Sequence, residues 1–275
     1  MAEGVLARAA WGLRAYGFIV AMWVRSTMAY RASFAIMLAV SFATTFLDFA
    51  AIMIMFSHVE ALGGFSLPEV AFLYGTSSVA FGLADLFLGQ FERIGGRVRD
   101  GTMDLLLMRP VPVLVQVAAD RFALRRLGRI SQGAMVLTWS LFQLDVDWNV
   151  GSALMVLVMI VSGGCIFGCV FVLGGAFQFW AQDASEVQNA FTYGGTTLLQ
   201  YPPTVFGKDL VRGVTFVVPL AFVNWMPALR LLGRDDPLGL PGWVDFASPA
   251  VALLCCVITG LVWRAGLRAY RSTGS

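Results

Sequence analysis

An all-α polytopic membrane protein is the fold class this sequence predicts. Hydrophobicity, scarcity of charge and the spacing of the apolar runs each point to it. Hydrophobic residues make up 58% of the chain and charged residues 13%, with a mean hydropathy of +0.76. A soluble domain carries about a quarter charged residues, so this balance belongs to a chain that resides in lipid. The apolar stretches approach the ~20 residues that an α-helix needs to cross a bilayer. Turns and charged links separate them.

Taken in order, residues 1–31 mix Arg8, Arg14, Arg25 and Arg31 with Trp11, Tyr16, Phe18 and Trp23. The reading is a helix lying in the membrane interface, guanidinium groups among the head groups and rings below. The scattered arginines do not fit a short basic start followed by a cleavage site, so no cleaved leader is expected. The first span is expected over Phe34 to Phe56, and the second over Leu67 to Gln90, after a loop carrying Gly63-Gly64. Residues 91–129 are the most polar part of the chain and hold eight of its 18 arginines. A third span is expected over Ile130 to Leu144, a fourth over Val150 to Trp180, and a fifth from about Phe191, after a polar link from Gln182 to Asn189. Residues 201–245 are apolar but broken by Pro202, Pro203, Pro219 and Pro227. Proline removes a backbone donor and clashes with the preceding turn, so two short helices dipping into the membrane from one side are expected here. A last span over Phe246 to Trp263 and a basic tail complete a single membrane domain, 1–275.

Six spans place both termini on one side, and 15 of the 19 basic residues then share that side. The positive-inside rule makes it the cytoplasmic one, in the plasma or inner membrane.

Within 91–129 the run Glu92-Arg-Ile-Gly-Gly-Arg-Val-Arg99-Asp-Gly101-Thr102-Met-Asp104-Leu105-Leu106-Leu107-Met-Arg109-Pro110-Val-Pro112 is the most informative. Gly101 interrupts the chain, Thr102 is a candidate N-cap, Asp104 to Leu107 form a turn or two of helix, and the prolines stop it. On the residues alone this is either a short helix that docks on a cytoplasmic partner or an ordinary solvated loop. The pattern resembles the coupling-helix region of the ABC type-2 permeases. The resemblance continues through Arg121 to Arg129, Tyr193-Gly-Gly-Thr, Tyr201-Pro202, Val218-Pro219 to Pro227, Asp236-Pro to Pro241, and Tyr270-Arg-Ser-Thr-Gly. It covers nearly the whole chain and is nearest to a branch usually paired with a second permease and a separate ATPase.

That resemblance implies an interfacial N-terminal helix, six spans and re-entrant helices before the last. It implies a substrate path lined by the first, second and fifth spans, and most often export. It assigns ATPase coupling to Gly101, Thr102, Asp104, Leu105, Leu106, Leu107, Arg109 and Pro110, with Glu92 and Arg99 beside them and the 182–189 link as a minor contact. Its partners are an ABC ATPase, which would carry ATP and Mg, a second permease subunit (a heterodimer rather than a homodimer), and lipid.

The remaining residues narrow the chemistry. No G-x-x-x-x-G-K-[ST] is present and the single Lys, Lys208, lies in Phe-Gly-Lys-Asp, so the chain is not expected to be an enzyme and needs no cofactor of its own. His58 alone makes no catalytic set or metal site. Cys165, Cys169, Cys255 and Cys256 read as reduced packing residues. A net charge of +2 gives no footprint for nucleic acid. Asp48 and Asp85 fall inside spans, where ionisable groups are costly and are candidates for function. They lie about 10 Å apart in depth at ~1.5 Å per residue, too far for a shared dyad. Each is expected to bond a neighbouring helix or water, and Arg230 to anchor the outer interface. A proton-coupled secondary transporter working through Asp48 or Asp85 is the alternative function, and a non-transporting membrane protein ranks last. Gly75, Gly82 and the Gly163 to Gly175 group point to close helix packing, within the chain or across a dimer.

Overall fold

The arginine- and aromatic-rich N-terminal stretch is helical, as α1 (Ala2–Met28), in the computed structural model, which describes residues 2–182 and 184–271, with side chains from residue 11 onward. The Arg8 side chain, Asp183 and the last three residues of the Tyr270 to Gly274 motif lie outside that description. A two-residue turn leads to α2 (Arg31–Phe56), and the Gly63-Gly64 loop to α3 (Leu67–Leu88). Ser66 and Glu69 set the start of α3: the Ser66 amide donates to Glu69 Oε2 at 2.7 Å, and Pro68 sits in the first turn, where its missing N–H costs nothing.

Residues 89–126 fold into a string of short pieces: a 3₁₀ segment (Gly89–Arg93), α4 (Ile94–Arg99), α5 (Thr102–Leu107), α6 (Val113–Ala119) and a second 3₁₀ turn. Then come α7 (Leu127–Gln143) and α8 (Val150–Phe177), the latter capped by Asn149, whose Oδ1 accepts from Ser152 N at 3.0 Å. After α9 (Ser185–Leu199) follow two short helices, α10 (Lys208–Phe216) and α11 (Trp225–Leu231), and finally α12 (Ser248–Ala269).

Among the described residues, four helices are long and apolar enough to cross a membrane: α2, α3 with its continuation to Arg99, α8 and α12. The other two expected spans are helices of 17 residues (α7) and 15 residues (α9), at and just below the lower end of the ~17–25 residues of a bilayer crossing. α9 begins at Ser185, so most of the expected polar link is its first turns.

α3 is the central element. It packs against α7, α8, α9 and α2, and 89% of its apolar window is buried, against 17% for α2 and 22% for α12. The broad faces of α2 and α12 are therefore left to lipid or to another chain. Small residues make the α3 seams possible. A Cβ built on Gly75 would lie 2.7 Å from Leu137 Cβ of α7, one on Gly133 would lie 2.8 Å from Ser78 Cβ, and one on Gly163 would lie 2.9 Å from Val223. These glycines thus serve packing within the chain. Cys169 and Cys256 meet at 3.6 Å between α8 and α12 as free thiols, and the other two cysteines are also unbonded.

The bundle has two ends. At one, here called distal, Arg234 clamps Glu69 through two hydrogen bonds of 2.8 and 2.9 Å, and Asn224 Nδ2 donates to Leu73 O and Leu199 O, both at 3.0 Å. The buried Asn224 thereby ties α3, α9 and the segment before α11 together. At the other, basal end, the short helices of 89–126 gather with the end of α12. Buried apolar residues divide accordingly: a large cluster through the bundle, and a separate basal one holding Phe91, Ile94, Met103, Leu106, Phe179 and Trp263.

Candidate functional site

The run from Glu92 to Pro112 folds around two short helices joined at Gly101, whose φ of 65° lies in the left-handed region that glycine adopts without strain. Gly101 itself caps α5. Thr102, expected as the cap, is instead the first helical residue, and its hydroxyl reaches back to Arg97 O at 3.4 Å.

The three leucines are not equivalent. Leu106 and Met103 are buried in the basal cluster beside Phe179 and Trp263, whereas Leu105, Leu107 and Met108 are exposed. Helical geometry separates neighbours by about 100°, so a two-turn helix can hold the bundle with one side and offer the other. Arg109 and Pro110 lie beyond its end, exposed. Asp104 accepts a 2.8 Å hydrogen bond from the Tyr270 phenol just past α12, and burial, with this bond second, pushes that phenol up to about 12. Gln116 of α6 braces the helix from below, donating to Leu106 O at 2.8 Å and Val111 O at 2.7 Å.

Glu92 and Arg99 line a neighbouring basal cleft with Arg93, Arg97, Asp100 and Trp23 of α1. Arg97 pairs with Asp120 across it. From this cleft a run of buried amides leads upward. Gly95 N donates to Gln178 Oε1 at 2.6 Å, Gln178 Nε2 to Gln188 Oε1 at 2.7 Å, and Gln188 Nε2 to Phe171 O at 3.3 Å. α4 is thereby hydrogen-bonded through the end of α8 to α9.

Higher in the bundle lies a polar cavity of about 240 Å³. Thr45 and Asp48 of α2, Tyr74 and Ser78 of α3, Arg129 of α7, and Tyr193, Thr196 and Thr197 of α9 face it, with Tyr201 beyond. The Arg129 guanidinium lies over two rings, 4.9 Å from the centroid of Phe81 and 5.7 Å from that of Tyr193. Such stacking holds a cation away from water by its attraction to the π faces. Tyr74 Oη donates to Thr45 O at 2.7 Å and Gln200 Nε2 to Ser78 Oγ at 3.4 Å, so the walls are hydrogen-bonded to one another.

The two intramembrane carboxylates are separate, as expected. Asp48 is exposed on α2 at the cavity. Asp85 is buried, with Oδ2 3.0 Å from Arg126 Nε, while Arg126 Nη1 donates to Asp85 O at 2.7 Å. That pair joins α3 to the 3₁₀ turn that precedes α7. Arg126 and Arg129 both belong to the run that the sequence places in the polar segment before the third span. The structure corrects this: one is an internal counter-ion and the other enters the cavity. Their signal was position alone, three residues apart at the mouth of an apolar helix, where both fall on one face. Elsewhere, Arg230 stacks at 5.9 Å on Phe246, and His58 Nδ1 is bonded locally to Ser57 and Ile54. No cluster among the described residues could hold a metal.

Fold and site together define a multi-pass helical membrane protein with an internal polar cavity and a hinged short helix at its base. The chain belongs to the ABC-2 family transporter proteins, whose family model matches residues 42–274. The match meets the resemblance to the ABC type-2 permeases seen in the sequence, and marks the chain as a membrane component of transport, not the ATP-hydrolysing part. No curated protein and no solved structure matches it.

Proposed function

We propose that this chain is the permease subunit of an ATP-driven ABC exporter, working with a separate nucleotide-binding subunit and a second permease. The observation that carries this reading is the division of α5: Met103 and Leu106 are buried in the basal cluster, to which α4, α6, α8 and α12 also contribute, while Leu105, Leu107 and Met108 present an apolar face outward. An exposed apolar face on a short, braced helix suits a groove on a cytoplasmic ATPase. The shared basal cluster, and the Asp104–Tyr270 bond at the end of α12, let a push on α5 reach the bundle.

On this reading α7 and α9 complete six spans, α10 and α11 are the re-entrant pair, and α1 lies along the inner interface. The basal end is cytoplasmic, with both termini there, since its segments hold 13 of the 19 basic residues even without the inward-facing Arg126 and Arg129. The membrane is the plasma or inner membrane. The substrate path runs beside α2, α3 and α9, whose residues line the polar cavity, and the open flank of α2 faces the second permease. The family habit of pairing unlike permeases favours a heterodimer.

Co-purification with the candidate ATPase in nanodiscs tests the reading. Wild type should retain the ATPase, and a Leu105→Glu/Met108→Glu variant, altered only at exposed positions, should lose it while remaining monodisperse. Transport by the chain with no ATPase bound would overturn the proposal and return the proton-coupled alternative.

A further inference from the structure

The cavity between α2, α3, α7 and α9 presents two opposite charges that do not meet. Arg129 forms no ion pair with any carboxylate among the described residues, and Asp48, on the facing helix, forms none with any cation among them. Arg129 is half-buried and Asp48 exposed, and opposite charges lining one cavity ordinarily close on each other. Here the guanidinium is instead stacked on Phe81 and Tyr193. Hydroxyl groups of Tyr74, Ser78 and Thr196 line the space between.

We propose that this cavity binds the zwitterionic head group of an amphiphile, its anionic oxygen atoms on Arg129 and its ammonium on Asp48. The inference rests on the permease reading and names the substrate class of the same path. Size supports a head group over a whole molecule: about 240 Å³ falls below the roughly 300–1,000 Å³ of pockets that enclose a drug-sized ligand. The surroundings supply the place for an apolar tail. Asp48 and Ala51 form the open lip, and the α2 surface on either side is exposed and apolar, with Leu47 and Ile54 facing outward. A tail can follow that surface into lipid while the head group remains among the hydroxyls. Guanidinium suits the anionic end because its planar fork matches phosphate or carboxylate oxygens with paired hydrogen bonds.

The test is a binding titration on the purified chain in nonionic detergent, with lauroyl lysophosphatidylethanolamine as probe. The comparison probes are lauroyl lysophosphatidic acid, which lacks the ammonium, and free phosphoethanolamine, which lacks the tail. The zwitterionic amphiphile should bind roughly tenfold or more tightly than either. Tight binding by phosphoethanolamine would leave the charge assignment and overturn the tail. Arg129→Ala should weaken the zwitterion by a similar factor and Arg129→Lys should retain most of it. Asp48→Asn should weaken the zwitterion to the level of lysophosphatidic acid while lysophosphatidic acid keeps its wild-type affinity, which loss of structure would not give. Equal affinity of wild type for both amphiphiles overturns the proposal without recourse to any variant. The assay omits the ATPase, so the two readings fail separately. Head-group selectivity with no ATPase association would remove the permease assignment and keep the site. ATPase association without selectivity would do the reverse.

Discussion

Tyr270 and Asp104 lie 166 positions apart and are joined by a hydrogen bond of 2.8 Å, phenol to carboxylate, at the foot of the last long helix. The bond ties α5 to α12 independently of the apolar contacts around Leu106. A hydrogen bond to a charged group contributes about 1.5–3 kcal/mol. Tyr270→Phe keeps the ring and removes only the bond. In the assembled transporter it should leave basal ATP hydrolysis near wild type and lower its stimulation by substrate severalfold. Unchanged stimulation would show that the contact carries no coupling.

Arg126 and Asp85 form the buried ion pair that pins the start of α7 to α3. Removing one partner strands the other, at a cost of about 3–5 kcal/mol. Arg126→Ala should therefore lower the melting temperature sharply, and adding Asp85→Asn should recover part of the loss. If both single variants melt with wild type, the pair is not structural.

The amide relay from Gly95 through Gln178 to Gln188 is buried along its length. Gln178→Leu removes the acceptor of the Gly95 N–H, and an unsatisfied buried donor costs about 1–3 kcal/mol. Hydrogen exchange at the Gly95 amide should accelerate by one to two orders of magnitude. Exchange unchanged there would mean that the backbone finds another acceptor.

Close approach of α3 and α7 leaves no space at Gly75, since an added Cβ would meet both the Leu137 side chain and its backbone within 2.8 Å. Gly75→Val should destabilise by about 1–3 kcal/mol or more through overpacking. Gly260→Ala, on α12 with nothing within 4 Å of the added atom, is the matched control and should melt with wild type. Equal melting of the two variants would show that the seam opens freely.

Hydropathy located the long helices because crossing a bilayer is a local requirement, written in consecutive residues. α2, α3, α8 and α12 begin and end within several residues of the expected limits. α7 and α9 are shorter and more polar, and the start of α9 was masked by Gln188 and Asn189, which look like loop residues although Gln188 is buried in the amide relay. The 101–110 segment could be read as a short helix from its Gly101 and Pro110 boundaries. Which leucine faces inward was not, because that depends on Phe179 and Trp263, far along the chain. Arg129 was misplaced for the same reason: its rings, Phe81 and Tyr193, come from two other helices. Asp48 could be flagged by its charge in a span, but not its cavity, which requires four helices at once.

The near-complete burial of α3 bears on how such a chain can diverge. Its side chains meet neighbours on every side, so each replacement there must be answered by another helix, and drift should be slow and paired. Where the outward positions of α2 and α12 meet lipid and not another chain, they answer only to hydrocarbon. Leu, Ile, Val and Met are close to interchangeable at such sites, so lineages should part company first along those two faces while α3 keeps their common pattern.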